Sequence, residues 1–258
     1  MPELDTTQSR RSVPALERGA AALDLVAAQA GPIGVSEIAR QLGLAKSSTH
    51  GICETLCGLD LLRLVPGGYV PGPRSLRWSA VWLANSTLVT EFNRIVAAEP
   101  RLRAYTVTLS MLDADQVIYL ACRESDKPLG FSFQIGMRLP AVFTATGKAM
   151  LSSLTAEGRR DWLPEKWPAP LTTASVADCA AFERQVPQWQ RLGHALDKGE
   201  IRVGMVCIGK AILREAGQPA AGIALSMTSD EARPEVIAEL AGVLDDIARR
   251  LRIGAFGG

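Results

Sequence analysis

The chain has 258 residues, of which 47% are hydrophobic and 21% are charged, and its formal net charge is +1. This composition is typical of a globular protein, and the length is enough for two domains that each bury a core. The balanced charge excludes a chain that attracts nucleic acid through a bulk excess of basic residues.

Cysteines and apolar runs give no sign of a metal site, a disulfide framework or a membrane span. The first residues lack the apolar core of a secretion signal, and no stretch approaches the roughly 20 apolar residues of a spanning helix. The cysteines form no CxxC pair, which favours reduced thiols. They are Cys53, Cys57, Cys122, Cys179 and Cys207. We expect a cytoplasmic protein without metal or cofactor.

The chain begins with a polar stretch, residues 1–12, that we expect to be a flexible N-terminus. Residues 14–29 are alanine-rich with leucines at helical spacing, and Pro14 suits the first position of a helix. The segment "AGPIG" then predicts a break.

Two further helical patterns follow closely. "VSEIARQLG" predicts a helix that Ser36 caps and that Gly43 ends in a left-handed turn. The next helix begins in "LAKSS", where a serine can cap again, and it places Ile52, Leu56 and Leu59 on one face.

The segment "LLRLVPGGYVPG" predicts a small hairpin around a Pro-Gly-Gly turn. Three helices, a short turn between the second and third, and a hairpin are the plan of a winged helix-turn-helix, which we assign to residues 13–74. Another small helical bundle would show the same pattern.

A long helical pattern, "LRWSAVWLANSTLVTEFNRIVAA", predicts one linker or dimer helix over residues 75–97. Residues 98–258 then mix strands and helices, which predicts an α+β domain with an antiparallel sheet. The strand-like segments include "TVTLSML", "QVIYLACR", "GFSFQIG", "VGMVCIGKAIL" and "AAGIALSMT", and "AAFERQVPQWQRLG" predicts a helix interrupted near Pro187.

Five segments together resemble the IclR family of bacterial transcriptional regulators: "LERGAAALDLVAA", "VSEIARQLGLAKSSTHGICETL", "MRLPAVFTATGKAML", "RLGHALDKGEIRVGMVCI" and "AAGIALSMT". The resemblance implies an N-terminal winged helix-turn-helix, a linker helix and a C-terminal GAF-like antiparallel sheet domain that binds an effector. It also implies a homodimer or homotetramer on double-stranded operator DNA, with a small organic acid tuning that binding.

In a helix-turn-helix the start of the second helix meets the major groove. Lysine and arginine pair with phosphates, and short hydroxyl side chains bond phosphates or base edges. Serine and threonine also begin helices that bind nothing. The candidate DNA-binding residues are Arg40, Lys46, Ser47, Ser48, Thr49, His50 and Arg63.

The third helix departs from the family pattern at two positions. The family usually has an arginine where this chain has Gly51, and a glycine where it has Asp60. Glycine inside a helix costs about 0.5–1 kcal/mol relative to alanine, and here it also removes a cation. Basic and acidic residues balance over residues 1–75. We therefore expect fewer phosphate contacts per subunit than the family pattern would give.

The resemblance also implies an effector site in the C-terminal domain. Hydroxyl, thiol and carboxyl side chains there suit an organic acid or a hydroxylated ligand, and apolar side chains would form the walls. The candidate effector-binding residues are Phe131, Phe133, Leu139, Thr146, Gly147, Asp197, Cys207, Ser226 and Thr228, with Phe143 as a further wall. The alternative for the strand residues is an ordinary core.

Lys148 in "TATGKAM" does not belong to a phosphate-binding loop, because Val142 stands where that loop needs glycine and Ala149 where it needs serine or threonine. Lys210 would pair with an anionic ligand or lie on the outer face of its strand.

Two other functions remain open. A Cys207–His194 pair, oriented by Glu200 or Asp197, would make a nucleophile and base and hence an enzyme. A degenerate ligand sensor that binds DNA weakly is the other alternative. We expect no catalytic residues.

Overall fold

The computed structural model describes residues 13–126, 131–214 and 217–256, so the polar stretch at residues 1–12 lies outside the described residues. The chain forms two compact units, Met1–Leu83 and Ala84–Gly258. No helix of the described ranges is long and apolar enough to cross a membrane.

The N-terminal unit has the three helices and the hairpin that the sequence predicts. Its elements are α1 (Pro14–Ala27), α2 (Val35–Leu42), α3 (Lys46–Gly58), β1 (Leu62–Val65) and β2 (Gly68–Pro71). The two strands pair antiparallel with Val65 opposite Gly68, so a two-residue turn closes the wing. The core joins α1, α2, α3 and the hairpin through Ala22, Val26, Ile33, Ile38, Cys53, Leu56, Leu62 and Tyr69.

Helix ends in this unit differ in part from the sequence predictions. Gly43 ends α2 in the left-handed conformation, as predicted. Ser36 does not cap α2, because the helix already starts at Val35 and its N-cap is Gly34. Similarly, α3 starts at Lys46, its N-cap is Ala45, and no side chain caps it.

The predicted single linker helix is wrong, because the segment holds two helices. They are α4 (Arg74–Ala84) and α5 (Thr87–Ala97). Ser86 lies between them in extended conformation, and its hydroxyl accepts the backbone N–H of Val89 at 3.3 Å. A serine that bonds the backbone in this way starts a new helix instead of continuing the old one.

The C-terminal unit is built on a six-stranded antiparallel sheet in the order β5-β4-β3-β8-β7-β6. The strands are β3 (Thr106–Asp113), β4 (Gln116–Arg123), β5 (Arg138–Pro140), β6 (Ala195–Lys198), β7 (Met205–Leu213) and β8 (Pro219–Thr228). The helices after α5 are α6 (Ala145–Ser153), α7 (Ala156–Arg160), α8 (Cys179–Leu192) and α9 (Pro234–Phe256).

Helices cover both faces of this sheet. On β7, the backbone at Gly209 meets the start of α6, whereas the side chain of the next residue, Lys210, pairs with Asp245 of α9. Since successive residues of a strand point to opposite faces, α6 and α9 lie on opposite faces. Lys210 therefore belongs to the α9 face of the sheet.

Two local predictions in this unit are wrong. The described part of "GFSFQIG", residues 131–136, forms no strand. Pro187 does not interrupt α8, which runs from Cys179 to Leu192. The helix tolerates Pro187 because Phe182, Val186 and Trp189 are buried on either side of it and hold both turns against the core.

Candidate functional site

The start of α3 presents a short polar surface to solvent. Lys46, Ser47 and Ser48 are all exposed in the first turn, and no side chain of the described residues bonds the N–H groups of that turn. Free N–H groups and a nearby cation attract a phosphate. This end of α3 therefore has the chemistry of a DNA contact.

Thr49 does not belong to that surface. Its side chain is fully buried, and its hydroxyl donates to the carbonyl of Ala45 at 3.1 Å. The face of α3 that carries Cys53 and Leu56 into the core also carries Thr49, since these residues follow at helical spacing. The prediction of Thr49 as a DNA-binding residue is corrected accordingly.

Two of the predicted cationic or donor residues already have acidic partners. Arg40 Nε donates to Glu37 Oε2 at 2.9 Å, and this contact lowers the pKa of Glu37 to about 2. His50 Nδ1 lies 3.3 Å from Glu54 Oε2 on α3. Both pairs are exposed, so a phosphate would compete with the carboxylates for these side chains. Arg63 is exposed on β1, in the wing.

The two departures on α3 have different structural settings. Gly51 is exposed, and a Cβ added there would meet no atom of the described residues within 4 Å, so close packing within the described chain does not require glycine. Asp60 follows the helix with a φ of 58°, the left-handed conformation that glycine adopts most readily. This left-handed conformation accounts for the glycine that the family pattern described above has in place of Asp60.

A small cavity lies inside the C-terminal unit, between the start of α6 and the sheet. Its volume is about 10 Å³, enough for one water molecule. All its lining residues are buried. They are Thr108, Tyr119, Phe133, Thr144, Ala145, Thr146, Asp197, Ile201, Cys207, Ala224 and Ser226.

Helix α6 reaches the cavity because its first turn lies directly on the backbone of its neighbours. A Cβ at Gly209 of β7 would overlap the carbonyl of Ala145, and one at Gly147 would overlap the backbone of Ala141. The absence of side chains at both positions allows this close approach. Thr144 caps the helix by accepting the N–H of Gly147 at 3.0 Å.

Asp197 is the polar centre of the cavity. Its side chain is fully buried, its Oδ1 accepts the N–H of Glu200 at 2.6 Å, and its Oδ2 has no hydrogen-bond partner among the described residues. Burial raises the pKa of Asp197 to about 6, against the opposing charge of Lys148 and the N–H of Glu200. On the next two strands of the sheet, Cys207 Sγ of β7 and Ser226 Oγ of β8 form a hydrogen bond at 3.1 Å.

Behind Asp197 lies a buried ion pair. Lys148 of α6 is fully buried, and its ammonium group pairs with Glu200 and donates to the carbonyl of Leu196 at 3.2 Å. The same ammonium lies 5.5 Å from the ring centre of Trp189. The other oxygen of Glu200, Oε2, accepts the N–H of Val176 at 3.2 Å. Lys148 thus has a structural role beside the cavity.

The structure brings five of the predicted effector-binding residues together at the cavity: Phe133, Thr146, Asp197, Cys207 and Ser226. The others lie outside its lining. Thr228 bonds Glu231 Oε2 at 3.0 Å, and Gly147 faces the backbone of Ala141. Phe131 stacks edge-on against Phe133, and Leu139 is half-buried in β5. Phe143 packs against Trp167 in the core.

Sequence reasoning missed six lining residues: Thr108, Tyr119, Thr144, Ala145, Ile201 and Ala224. For one of them a signal was present. Hydroxyl residues alternate along "TVTLSML" in a strand that is otherwise apolar, and Thr106, Thr108 and Ser110 are all buried. Buried hydroxyl groups on one face of a strand indicate a polar site there.

The pair that a thiol enzyme would need does not form. Cys207 lies opposite Asp197, whereas His194 precedes the Ala195–Gly209 pairing, about 10 Å further along the strand. His194 Nδ1 lies 3.1 Å from the carbonyl of Leu192. Burial also raises the pKa of the Cys207 thiol, which opposes formation of a nucleophilic thiolate.

Comparison with known proteins gives the same picture for both units. The family model described as "IclR helix-turn-helix domain" matches residues 15–66, and the one described as "Bacterial transcriptional regulator IclR C-terminal" matches residues 82–253. The HTH-type transcriptional regulator BhcR of Paracoccus denitrificans is 27% identical over 242 residues, covering 93% of this chain and 86% of the relative.

Two solved structures are informative. The repressor BlcR of Agobacterium tumefaciens is 41% identical, with a TM-score of 0.62 over 95% of this chain and 98% of its own. An IclR homolog from Microbacterium hydrocarbonoxydans, solved in complex with 4-hydroxybenzoate, is 20% identical and shares the fold, with a TM-score of 0.73 over 93% of this chain and 98% of its own.

Proposed function

Because the chain belongs to the IclR family of bacterial transcriptional regulators, we propose that it binds operator DNA and that a small organic acid in the cavity around Asp197 modulates this binding. On this proposal the protein acts in the cytoplasm, where the chromosome of a bacterium lies.

The cavity supports the effector part of the proposal. A buried carboxyl oxygen without a partner is costly unless something binds it, and Asp197 Oδ2 is such an atom. Around it lie hydroxyl groups of Thr108 and Ser226, the thiol of Cys207, and the first turn of α6. Hydroxyl groups and a helix N-terminus suit an anionic ligand. The relative that was solved with 4-hydroxybenzoate carries an organic acid.

For DNA, the first turn of α3 supports contact through Lys46, Ser47 and Ser48. The carboxylates of Glu37 and Glu54, together with the missing cation at Gly51, favour weak contact by one protomer. A regulator of this kind gains affinity by binding two half-sites at once.

We propose that a second copy covers α4 and thereby forms the homodimer. Four large apolar side chains of this helix are exposed: Leu76 by 70%, Trp78 by 56%, Val81 by 62% and Trp82 by 50%. Exposed apolar patches mark interaction surfaces, and a twofold dimer matches a palindromic operator. Trp82→Lys should shift the protein toward monomer in sedimentation velocity, whereas the equally exposed Leu171→Lys should not.

The effector is tested by thermal shift with acetate, propionate, benzoate and 4-hydroxybenzoate, followed by DNA titration with the acid that stabilises most. A ligand that binds the native state raises stability by about 2.7 kcal/mol at a hundredfold excess over Kd. Ser226→Ala should reduce this shift, since it removes a hydroxyl from the cavity. Ser152→Ala is the matched control, because Ser152 is buried in α6 outside the cavity.

The outcome separates the proposed functions. An acid that loses its effect in Ser226→Ala and changes DNA affinity in the wild type supports the regulator. An acid that binds without any DNA retention supports the degenerate sensor instead. An acid that stabilises both serine variants equally would place the site elsewhere.

A further inference from the structure

The charges around the cavity do not balance when Asp197 is ionised. Lys148 of α6 faces Asp197, but its charge is already paired with Glu200 of the turn after β6. Among the described residues, the other titratable groups that face Asp197 are Cys207 on β7 and Tyr119 on β4. Burial raises the pKa of both, so both are uncharged near neutral pH. An ionised Asp197 therefore leaves one net negative charge.

A carboxylate ligand would bring a second negative charge into the same small space. None of the described residues that line the cavity is a cation. The first turn of α6 contributes about half a positive charge, which is less than one full carboxylate needs. When two carboxylates share a small buried site, the charge of one strongly raises the pKa of the other, so one of them takes up a proton.

We propose that a carboxylic-acid effector binds together with one proton, an inference that rests on the proposed effector site. Asp197 Oδ2 takes up this proton from solvent and then donates a hydrogen bond to the ligand. No covalent bond other than the O–H bond forms or breaks. The uptake converts an acceptor without a partner into a donor, and the ligand supplies the matching acceptor. The sensor would then respond to the level of the acid and to pH together.

The protonation of Asp197 lies in a useful range for such a response, since the pKa of its carboxyl group is raised to about 6. The binding-competent form is the protonated one, and its fraction falls tenfold for each pH unit above that value. The apparent Kd of an acid therefore rises about tenfold per pH unit near and above neutrality.

Calorimetric titration of the full chain tests this with acetate, propionate and benzoate, and with acetamide, propionamide and benzamide as uncharged controls. Titrations span about pH 5.5 to 8.5, and at about pH 7.5 they are repeated in HEPES and in Tris, whose ionisation heats differ. We expect about one proton taken up per acid bound and a rising Kd, while the Kd of any amide that binds stays flat.

Asp197→Asn keeps an oxygen for the N–H of Glu200 and removes the ionisable group. This variant should bind the acid without proton uptake and on the order of a hundredfold more tightly than wild type near pH 8. Asp161→Asn, at an exposed position of the same unit, is the matched control and should behave like wild type.

The failures are distinguishable. Acid binding that is independent of pH and takes up no proton overturns this inference and leaves the proposed function standing. Loss of all binding in a folded Asp197→Asn also overturns it, since Asp197 would then act as an ionised acceptor. If none of the acids binds at any pH, the acid effector itself is wrong, and the inference falls with it.

Discussion

The backbone N–H of Glu200 donates to Oδ1 of Asp197 at 2.6 Å, so the residue that pairs with Lys148 also orients the carboxyl group of the cavity. The ion pair and the cavity therefore share one short segment, from β6 to the turn that follows. We therefore expect a change in the ion pair to alter the orientation of the Asp197 carboxyl group as well as the stability of the unit.

Lys148→Met should destabilise the C-terminal unit by about 3–5 kcal/mol, because it leaves the carboxylate of Glu200 buried without its partner. Lys148→Met combined with Glu200→Gln should recover part of that loss. Chemical unfolding followed by tryptophan fluorescence measures both. Lys166→Met, at an exposed lysine, is the control and should stay within about 0.5 kcal/mol. A loss below about 1 kcal/mol in the single variant would show that the pair is not needed.

Asp197→Asn should stabilise the protein at neutral pH. The pKa of Asp197 is about 6 in the folded chain against an ordinary 3.8, so the folded state prefers the protonated form. The contribution of the protonated Asp197 side chain to the free energy of unfolding is fully present below pH 3.8, and it is lost as pH rises through about 6. The variant should be more stable by about 1–3 kcal/mol above that range, with no such loss between these values. Unfolding at several pH values, with Asp161→Asn as control, checks it; equal pH profiles would contradict it.

Lys46→Ala should weaken DNA binding about equally for all sequences and reduce the slope of log affinity against log salt by about 1 per protomer. The reason is the loss of one phosphate contact at the start of α3. Fluorescence anisotropy with operator and random DNA at several salt concentrations measures both effects. Lys166→Ala, in the other unit, is the control. A change that is confined to one sequence would mean that Lys46 reads a base.

Gly51→Arg should raise affinity and steepen the salt slope, because it adds a cation on an exposed face where a side chain meets no obstacle. Gly51→Ala separates the two contributions. It should stabilise α3 by about 0.5–1 kcal/mol without changing the salt slope. Weaker binding of the arginine variant would show that DNA approaches the helix at Gly51 too closely for a side chain.

Asp60→Gly should stabilise the N-terminal unit by about 0.5–1 kcal/mol, since Asp60 adopts a left-handed φ of 58° that glycine tolerates without strain. Asp60→Ala removes the same charge but keeps the strain, so it should give no gain. Thermal unfolding of the three proteins distinguishes relief of strain from loss of a negative charge. Equal gains in both variants would assign the effect to the charge.

The helices of the N-terminal unit follow from the local spacing of apolar residues. The burial of Thr49 follows from the same spacing. The spacing of Thr49, Cys53 and Leu56 places all three on one helical face, so the sequence contained the information that buries Thr49. The hydroxyl run "SST" obscured it, because a polar residue is not expected in a core unless a nearby carbonyl accepts its hydrogen bond.

The cavity was predictable only in part. Asp197, Cys207 and Ser226 came from resemblance, and the strand register that sets Cys207 opposite both of the others explains their meeting. The Lys148–Glu200 pair joins residues 52 positions apart. No local pattern specifies such a contact, since it depends on how α6 packs against the end of β6. Sequence reasoning missed the break at Ser86 because apolar residues recur at helical spacing both before and after it.

The small volume of the cavity has a consequence for the timing of the response. Every residue around it is buried, and its volume of about 10 Å³ admits one water molecule but no acid. A ligand must therefore wait for a wall to move before it can enter. At high ligand concentration the observed association rate should reach a plateau set by that movement. The movement of the cavity wall, and not diffusion of the acid, then sets the delay between a rise in the acid concentration and a change at the promoter.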